Sequence, residues 1–383
     1  MKILLVGEFS RLHNSLKEGL LSLNQKVSII GSGDDFKEFP VDFSIAPKII
    51  SSFSLLKFLN KVFFRVFKSD LQLLEKGIRF YFLLPKLKNY DVVQLINSDA
   101  IETYPFASRY LLKKLFSQNK KISLLICGEE TPIIEYLLKK EMKYSILNPL
   151  LSDPKLEKSY NYTLKYVQPN YRKTFDFITT RTSSIITSDL DYKLPMEAMG
   201  FHSQFIPNPI NKDKIEYKQL LINDKIIIFL GINESSAVKK GSVFFEKALE
   251  IIKKKYLNQI EIIITRSIPY EQYIEAYNKA HILLDQVYSY DQGYNALEAM
   301  AKGKVVFTGA EKEFEEQYNL TEKVAINALP DVDYLVTELS FLIENPEEII
   351  AIGNRARTFI EKEHNYLKIA EMYLNVWKNK FPS

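Results

Sequence analysis

The sequence predicts an α/β protein built from two doubly wound halves. Short apolar, strand-like runs alternate with helix-period segments along the whole chain. At 383 residues the chain exceeds one typical domain, and with 46% hydrophobic residues it can form two cores. The alternation also restarts. A polar stretch with two prolines, Phe205-Ile206-Pro207-Asn208-Pro209-Ile210-Asn211, separates one strand–helix series from another.

In chain order, Ile3–Val6 reads as a strand, followed by the turn Gly7-Glu8-Phe9-Ser10, a helix over about 11–23 and strand Val27–Ile30. In doubly wound sheets ligands gather beyond the carboxyl ends of the strands, so Gly7 and Glu8 become candidates for lining an acceptor pocket. No G-x-G-x-x-G accompanies them, so a dinucleotide fingerprint is absent. Further strands are expected at Val92–Ile96, Ile122–Ile126, Phe177–Thr179 and Ser184–Thr187. The second series runs from strand Ile226–Gly231 through helix Ser242–Lys255, strand Ile260–Thr265, helix 270–280 and strand Ile282–Leu284. The amphipathic segment Tyr366–Phe381 is expected to cross back onto the first half. The expected partition is 1–207 and 208–365, with 366–383 returning to the first unit.

Composition narrows the function. One cysteine, Cys127, leaves no disulfide framework within the chain and no cysteine-rich zinc site. Four scattered histidines give zinc no support either. Met1-Lys2 leads straight into a strand, without a signal-peptide pattern, and no apolar run reaches bilayer-spanning length, so a cytoplasmic protein is expected. Residues 1–200 carry 29 Lys and Arg against 21 Asp and Glu, while 201–383 carry 22 against 26. No dense basic helix or nucleic-acid motif is present, so an anionic surface meeting the first half explains this asymmetry better than nucleic acid does.

The most informative stretch is Gly293-Tyr294-Asn295-Ala296-Leu297-Glu298-Ala299-Met300-Ala301-Lys302-Gly303, with the apolar Val305-Val306-Phe307 after it. A glycine opens a helix of good formers, a second glycine ends it, and a strand comes next. Helix N-termini favour anions, and a carboxylate one turn inside can accept hydrogen bonds from a ribose diol. The stretch therefore reads either as a nucleotide-diphosphate cradle, using the N–H groups of Gly293, Tyr294 and Asn295 with Glu298, or as a capped helix packed on a sheet.

This segment resembles the donor site of retaining nucleotide-sugar glycosyltransferases of the group 1 type, which have the glycosyltransferase B fold: two Rossmann-like domains facing a central cleft. Glu298-Ala-Met-Ala and Gly303 match the family's second glutamate, its Ala-Met-Ala and the glycine before its next strand. The family's first acid falls at Tyr290, beside Asp291, which is the candidate to replace it. The family's Gly-Arg after the first strand of this half becomes Gly231-Ile232 here, and its Lys-Gly is kept as Lys240-Gly241, with Lys239 adjacent. The resemblance implies a nucleotide-diphosphate sugar donor, a sugar or lipid-linked acceptor, Lys240 and Lys239 on the diphosphate, and no metal or other cofactor. It leaves open a sugar-nucleotide epimerase of similar fold, or a relative that only binds.

Glu129 and Glu130 come after a strand and Gly128, where the crevice should lie. They fit either acceptor binding and proton transfer or the acidic start of the helix after Pro132. His13 either faces the crevice or is structural. Asp189-Leu190-Asp191 and Asp331-Val332-Asp333 look like metal–diphosphate D-x-D motifs but lack the strand context, and read as loop acids. Finally, Lys57, Lys61, Arg65 and Lys68 fall on one face of an otherwise apolar, acid-free helix. That is the pattern of a helix lying on anionic lipid, or of a core helix with a basic outer stripe.

Overall fold

The computed structural model describes residues 1–34, 38–67, 70–222 and 224–378; Lys68 and the last three residues of the predicted segment Tyr366–Phe381 lie outside them. Two parallel sheets organise the chain. The first contains β1 (Lys2–Val6), β2 (Lys26–Gly31), β3 (Phe43–Ser44), β4 (Val92–Leu95), β5 (Lys121–Ile126), β6 (Ser184–Thr187) and β7 (Gln204–Phe205), in the order β3-β2-β1-β4-β5-β6-β7. The second contains β8 (Ile226–Ile232), β9 (Ile260–Arg266), β10 (Ile282–Leu284), β11 (Val305–Thr308) and β12 (Ile326–Asn327), in the order β12-β11-β10-β8-β9. Parallel strands covered on both faces must be apolar throughout, and Ile3 to Val6 are wholly buried. Register obeys the same logic: Leu4 lies between Ser28 and Val93.

Each sheet reverses its winding once, between β1 and β4 in the first and between β8 and β10 in the second. In open α/β sheets, ligand crevices lie beyond the carboxyl ends of the strands at such reversals. Gly7 and Glu8 come directly after β1, and Asp285 directly after β10.

The chain passes between the sheets twice. Ile210 pairs with Asn365, and His364 Nδ1 donates to the Asn208 carbonyl at 2.8 Å. Beyond this crossing, Ile369, Ala370, Tyr373 and Trp377 of the last helix, Tyr366–Lys378, enter the core of the first sheet. The Trp377 indole N–H donates to Gln94 on β4 at 3.2 Å.

Two expectations are corrected. Phe177-Ile178-Thr179 is not a strand but the end of helix Pro169–Thr179. Its buried residues, Thr174, Phe175 and Ile178, recur at helical spacing, and a three-residue apolar run is too short to reveal that period. Asp189 and Asp331 do not sit in plain loops: each caps a helix, Leu190–Ala198 and Val332–Glu344, by accepting a backbone N–H. Asp191 and Asp333 lie in the first turns of those helices.

Candidate active site

A cavity of about 150 Å³ lies between the two sheets. Gly128, Glu129 and Tyr192 line it from the first half, and Gln286, Tyr288 and Gly293 from the second. The loop after β8 brings up two lysines. Residues Ala237–Lys240 form one helical turn that ends at Gly241, whose φ is 67°. A Cβ at Gly241 would meet Val287 at 2.4 Å, so glycine is required there by backbone and neighbour alike. Helix Ser242–Lys255 starts immediately afterwards.

The lysines have different partners. Lys240 Nζ lies 2.7 Å from Asp285 Oδ1, and the other oxygen of this buried carboxylate has no hydrogen-bond partner. Lys239 reaches the first half, its Nζ 2.7 Å from Oε1 of the cavity-lining Glu129. Glu129 also accepts from the Thr163 hydroxyl at 2.6 Å. Asn295 closes the first cluster: its amide donates to Asp285 Oδ1 at 3.4 Å, and its Oδ1 accepts from the Tyr273 hydroxyl at 2.9 Å. Asp285 went unnoticed in the sequence, although its place directly after strand β10 was the available signal.

Helix Tyr294–Ala301 begins at this cavity with Gly293 as its cap, and no side chain caps it. Its first N–H groups lack intrahelical partners and carry the positive end of the helix dipole. Glu298 opens elsewhere. With Tyr294 it lines a smaller crevice of about 30 Å³, shared with Arg11, Ser15 and Lys214. The Tyr294 hydroxyl donates to the Pro209 carbonyl. The predicted cradle is therefore split along one helix start, with Gly293 on one space and Glu298 on the next.

Several other candidates point away from the cavity. Glu130 is wholly buried and accepts from Ser98 N at 2.7 Å, Ser98 Oγ at 2.6 Å and Thr131 N at 3.0 Å, which makes it the cap of helix Thr131–Leu138. Burial pushes its carboxyl up to about 7. Of the two readings of this acid pair, Glu130 fits the structural one, while Glu129 lines the cavity.

His13 is also buried; its Nδ1 donates to the Gly7 carbonyl at 2.7 Å, and burial lowers it to about 4, so it is neutral at pH 7. Glu8 accepts from the Asn14 backbone at 2.8 Å and from its side chain at 2.6 Å, and burial raises it to about 8. Both remain near the β1 crevice but inside the protein: His13 Nε2 and Glu8 Oε1 are buried without partners.

Tyr290 and Asp291 belong to a contact between the halves. The Tyr290 hydroxyl accepts from Lys143 N at 3.2 Å. Asp191 of the first half accepts from Ser289 Oγ at 2.5 Å and Tyr290 N at 2.9 Å. Asp291 in turn accepts from Leu190 N at 3.3 Å. Asp189, Asp191 and Asp291 are thus brought together, and burial raises all three above the usual carboxylate range, Asp291 to about 7. Asp291 does not line the cavity; its oxygens are used on backbone N–H groups of Leu190 and Gln292.

Comparison with known proteins adds the family context. Residues 243–375 match the model of a family described as glycosyl transferase-like. No curated protein sequence matches the chain. The structure of Anabaena Alr3699/HepE in complex with UDP and glucose superposes with a TM-score of 0.59 at 12% identity, covering 98% of each chain. Sucrose-phosphate synthase from Thermosynechococcus elongatus gives 0.59 at 12% identity over 99% of this chain and 98% of that one. UDP-GlcNAc 2-epimerase from Neisseria meningitidis bound to UDP-GlcNAc gives 0.53 at 12% identity over 98% and 99%. The fold is that of the glycosyltransferase B proteins, as the resemblance implied.

Proposed function

We propose that this chain, glycosyl transferase-like in residues 243–375 and of the glycosyltransferase B fold, moves a sugar from a nucleotide-diphosphate sugar to an acceptor held by its first half. The observation that carries this reading is the cavity between the sheets, lined by Glu129 and by Gly293 at a helix start that no side chain caps, with Lys239 on Glu129 and Lys240 on Asp285, the residue before the lining Gln286.

In the transfer, the bond from the anomeric carbon to the diphosphate oxygen breaks and a bond to the acceptor oxygen forms. Negative charge grows on the departing diphosphate. Lys240 and the N–H groups at Tyr294 and Asn295 would stabilise it. Lys239 would exchange Glu129 for phosphate, leaving Glu129 to accept the acceptor's hydroxyl proton or hydrogen bond. The ribose would lie along the same helix start toward Glu298. Retention of configuration rests only on the resemblance, as does activity without metal. UDP-sugars are the first donors to try, because two of the similar structures hold UDP or a UDP-sugar. The proposed acceptor is a sugar or lipid-linked sugar of a cell-surface polysaccharide or glycolipid.

A second reading, epimerisation of the nucleotide-sugar, is favoured by the similarity to the Neisseria enzyme. Product analysis separates the two. Incubation with labelled UDP-sugars in the presence of EDTA should yield free UDP and label on an acceptor. An isomerised donor would support the epimerase, and binding without turnover a non-catalytic protein. Lys240→Ala should weaken nucleoside diphosphate roughly 10–100-fold, the loss expected for a charge-assisted hydrogen bond, and leave the bare nucleoside unchanged. Equal losses for both ligands would remove Lys240 from the diphosphate.

A further inference from the structure

Helix Ser54–Phe67 contains no buried residue among positions 54–65. At about 100° per residue, its half-buried side, Leu56, Asn60 and Phe63, occupies one narrow sector. A second sector, Leu55, Phe58, Leu59 and Val62, is apolar yet open to solvent, with Leu55 69% and Phe58 62% exposed. The third holds Lys57, Lys61 and Arg65. A core helix with a basic outer stripe would bury its apolar stripe, and this one does not.

The apolar surface continues onto the neighbouring helices. On Leu71–Leu83 the exposed residues Leu74, Ile78 and Phe82 recur every fourth position, and Phe82 is 73% exposed. Leu71 N donates to Asn60 Oδ1 at 2.8 Å, which ties this helix to the first. On Pro105–Ser117, Phe106 and Tyr110 are exposed. Lys114 bridges the gap, its Nζ 5.9 Å from the Tyr81 ring centre and 5.0 Å from that of Tyr110. Charge keeps to one sign. Across all three helices the only carboxylate is Glu75, which is buried and accepts from Ile49 N and Ile50 N at 2.8 and 2.9 Å.

We infer that these three helices form a docking surface for an anionic lipid bilayer. Apolar side chains enter the acyl boundary while Lys57, Lys61, Arg65 and Lys114 meet lipid headgroups. Exposed patches of this extent are rare on soluble proteins unless they bind something. A symmetric second copy would bring the same acid-free, basic surface against itself. A dry protein partner would disfavour the lysines. An anionic bilayer satisfies both the apolar and the basic sectors.

The test is sedimentation of the full chain with vesicles, read without donor or turnover, so that its outcome is separate from that of the transferase reading. Binding to phosphatidylglycerol-containing vesicles should exceed binding to pure phosphatidylcholine and should weaken with salt. The triple substitution Lys57→Gln, Lys61→Gln, Arg65→Gln should reduce it about 100-fold, from about 1 kcal/mol per basic residue. Phe58→Ser with Phe82→Ser should reduce the remainder without lowering the melting temperature, since both rings are exposed. No binding to anionic vesicles at low salt, equal binding to neutral ones, or a dimer that these same substitutions dissociate would overturn the inference.

Discussion

At Gly293, φ is −70° and ψ is 166°, values open to any residue, and an added Cβ would meet nothing nearer than 4.0 Å. Neither backbone nor neighbours demand glycine there, in contrast to Gly241. The free space beside the helix start is what a closely approaching phosphate needs. Gly293→Ala should therefore leave stability within about 1 kcal/mol of the parent, since the loss at a cap and the gain in unfolded-state entropy offset each other. It should also raise the donor KM at least tenfold, an order-of-magnitude expectation for a lost backbone–phosphate contact. An unchanged KM in this variant would take the cradle out of the site. Residue types pointed to Gly293, and the family resemblance to Lys239 and Lys240. The same reasoning could not separate Glu129 from Glu130, because adjacency in sequence says nothing about which side chain the fold turns inward.

Helix Thr131–Leu138 depends on its first residues. Glu130 takes three hydrogen bonds there, two of them from Ser98 in the loop after β4, so it ties a helix start to the neighbouring strand. Glu130→Ala should cost about 1–2 kcal/mol, measured by denaturant unfolding, with donor KM unchanged. Glu129→Gln should do the reverse, leaving stability near that of the parent and lowering turnover. A loss of turnover in the stable fraction of the Glu130 variant would reinstate it as a functional acid. Several elements were legible: Ser184–Thr187, Ser242–Lys255 and Ile282–Leu284 have the expected ends. Phe177–Thr179 was not, because it continues the helical spacing of Thr174, Phe175 and Ile178 from a start at Pro169, eight residues upstream.

Across the whole molecule, the halves are joined by a reciprocal exchange in which each supplies a carboxylate to the other's backbone: Asp191 to Tyr290 N, and Asp291 to Leu190 N. Burial raises Asp189, Asp191 and Asp291, so the folded protein holds protons that an unfolded carboxyl, near 4, has already lost. The sign is fixed. Stability from this contact is complete at low pH and falls as pH rises toward and through about 7, the value for Asp291. Glu8, raised to about 8, acts in the same direction. His13 and His364, both lowered to about 4, act in the opposite direction while an unfolded histidine, near 6.5, still holds its proton, and drop out above about pH 7.5. Thermal unfolding should accordingly show a melting temperature that decreases from about pH 7.5 to 8.5, with a shallower slope in Asp191→Asn. A melting temperature that climbs over this range would contradict the assignment.

The sequence by itself determined the two parallel sheets and the glycine-opened helix that leads into Val305–Thr308. These rest on periodicity and backbone chemistry, which are local. Only the tertiary structure decided that Lys240 meets Asp285, that Glu298 opens to a different space from Gly293, and that Asp189 and Asp191 share one contact with the distant Asp291. It also decided that the apolar stripe of Ser54–Phe67 faces solvent. The physical reason is common to all four: the partner of a side chain is set by crossovers that bring distant segments together, and no local pattern encodes which of its faces will be covered.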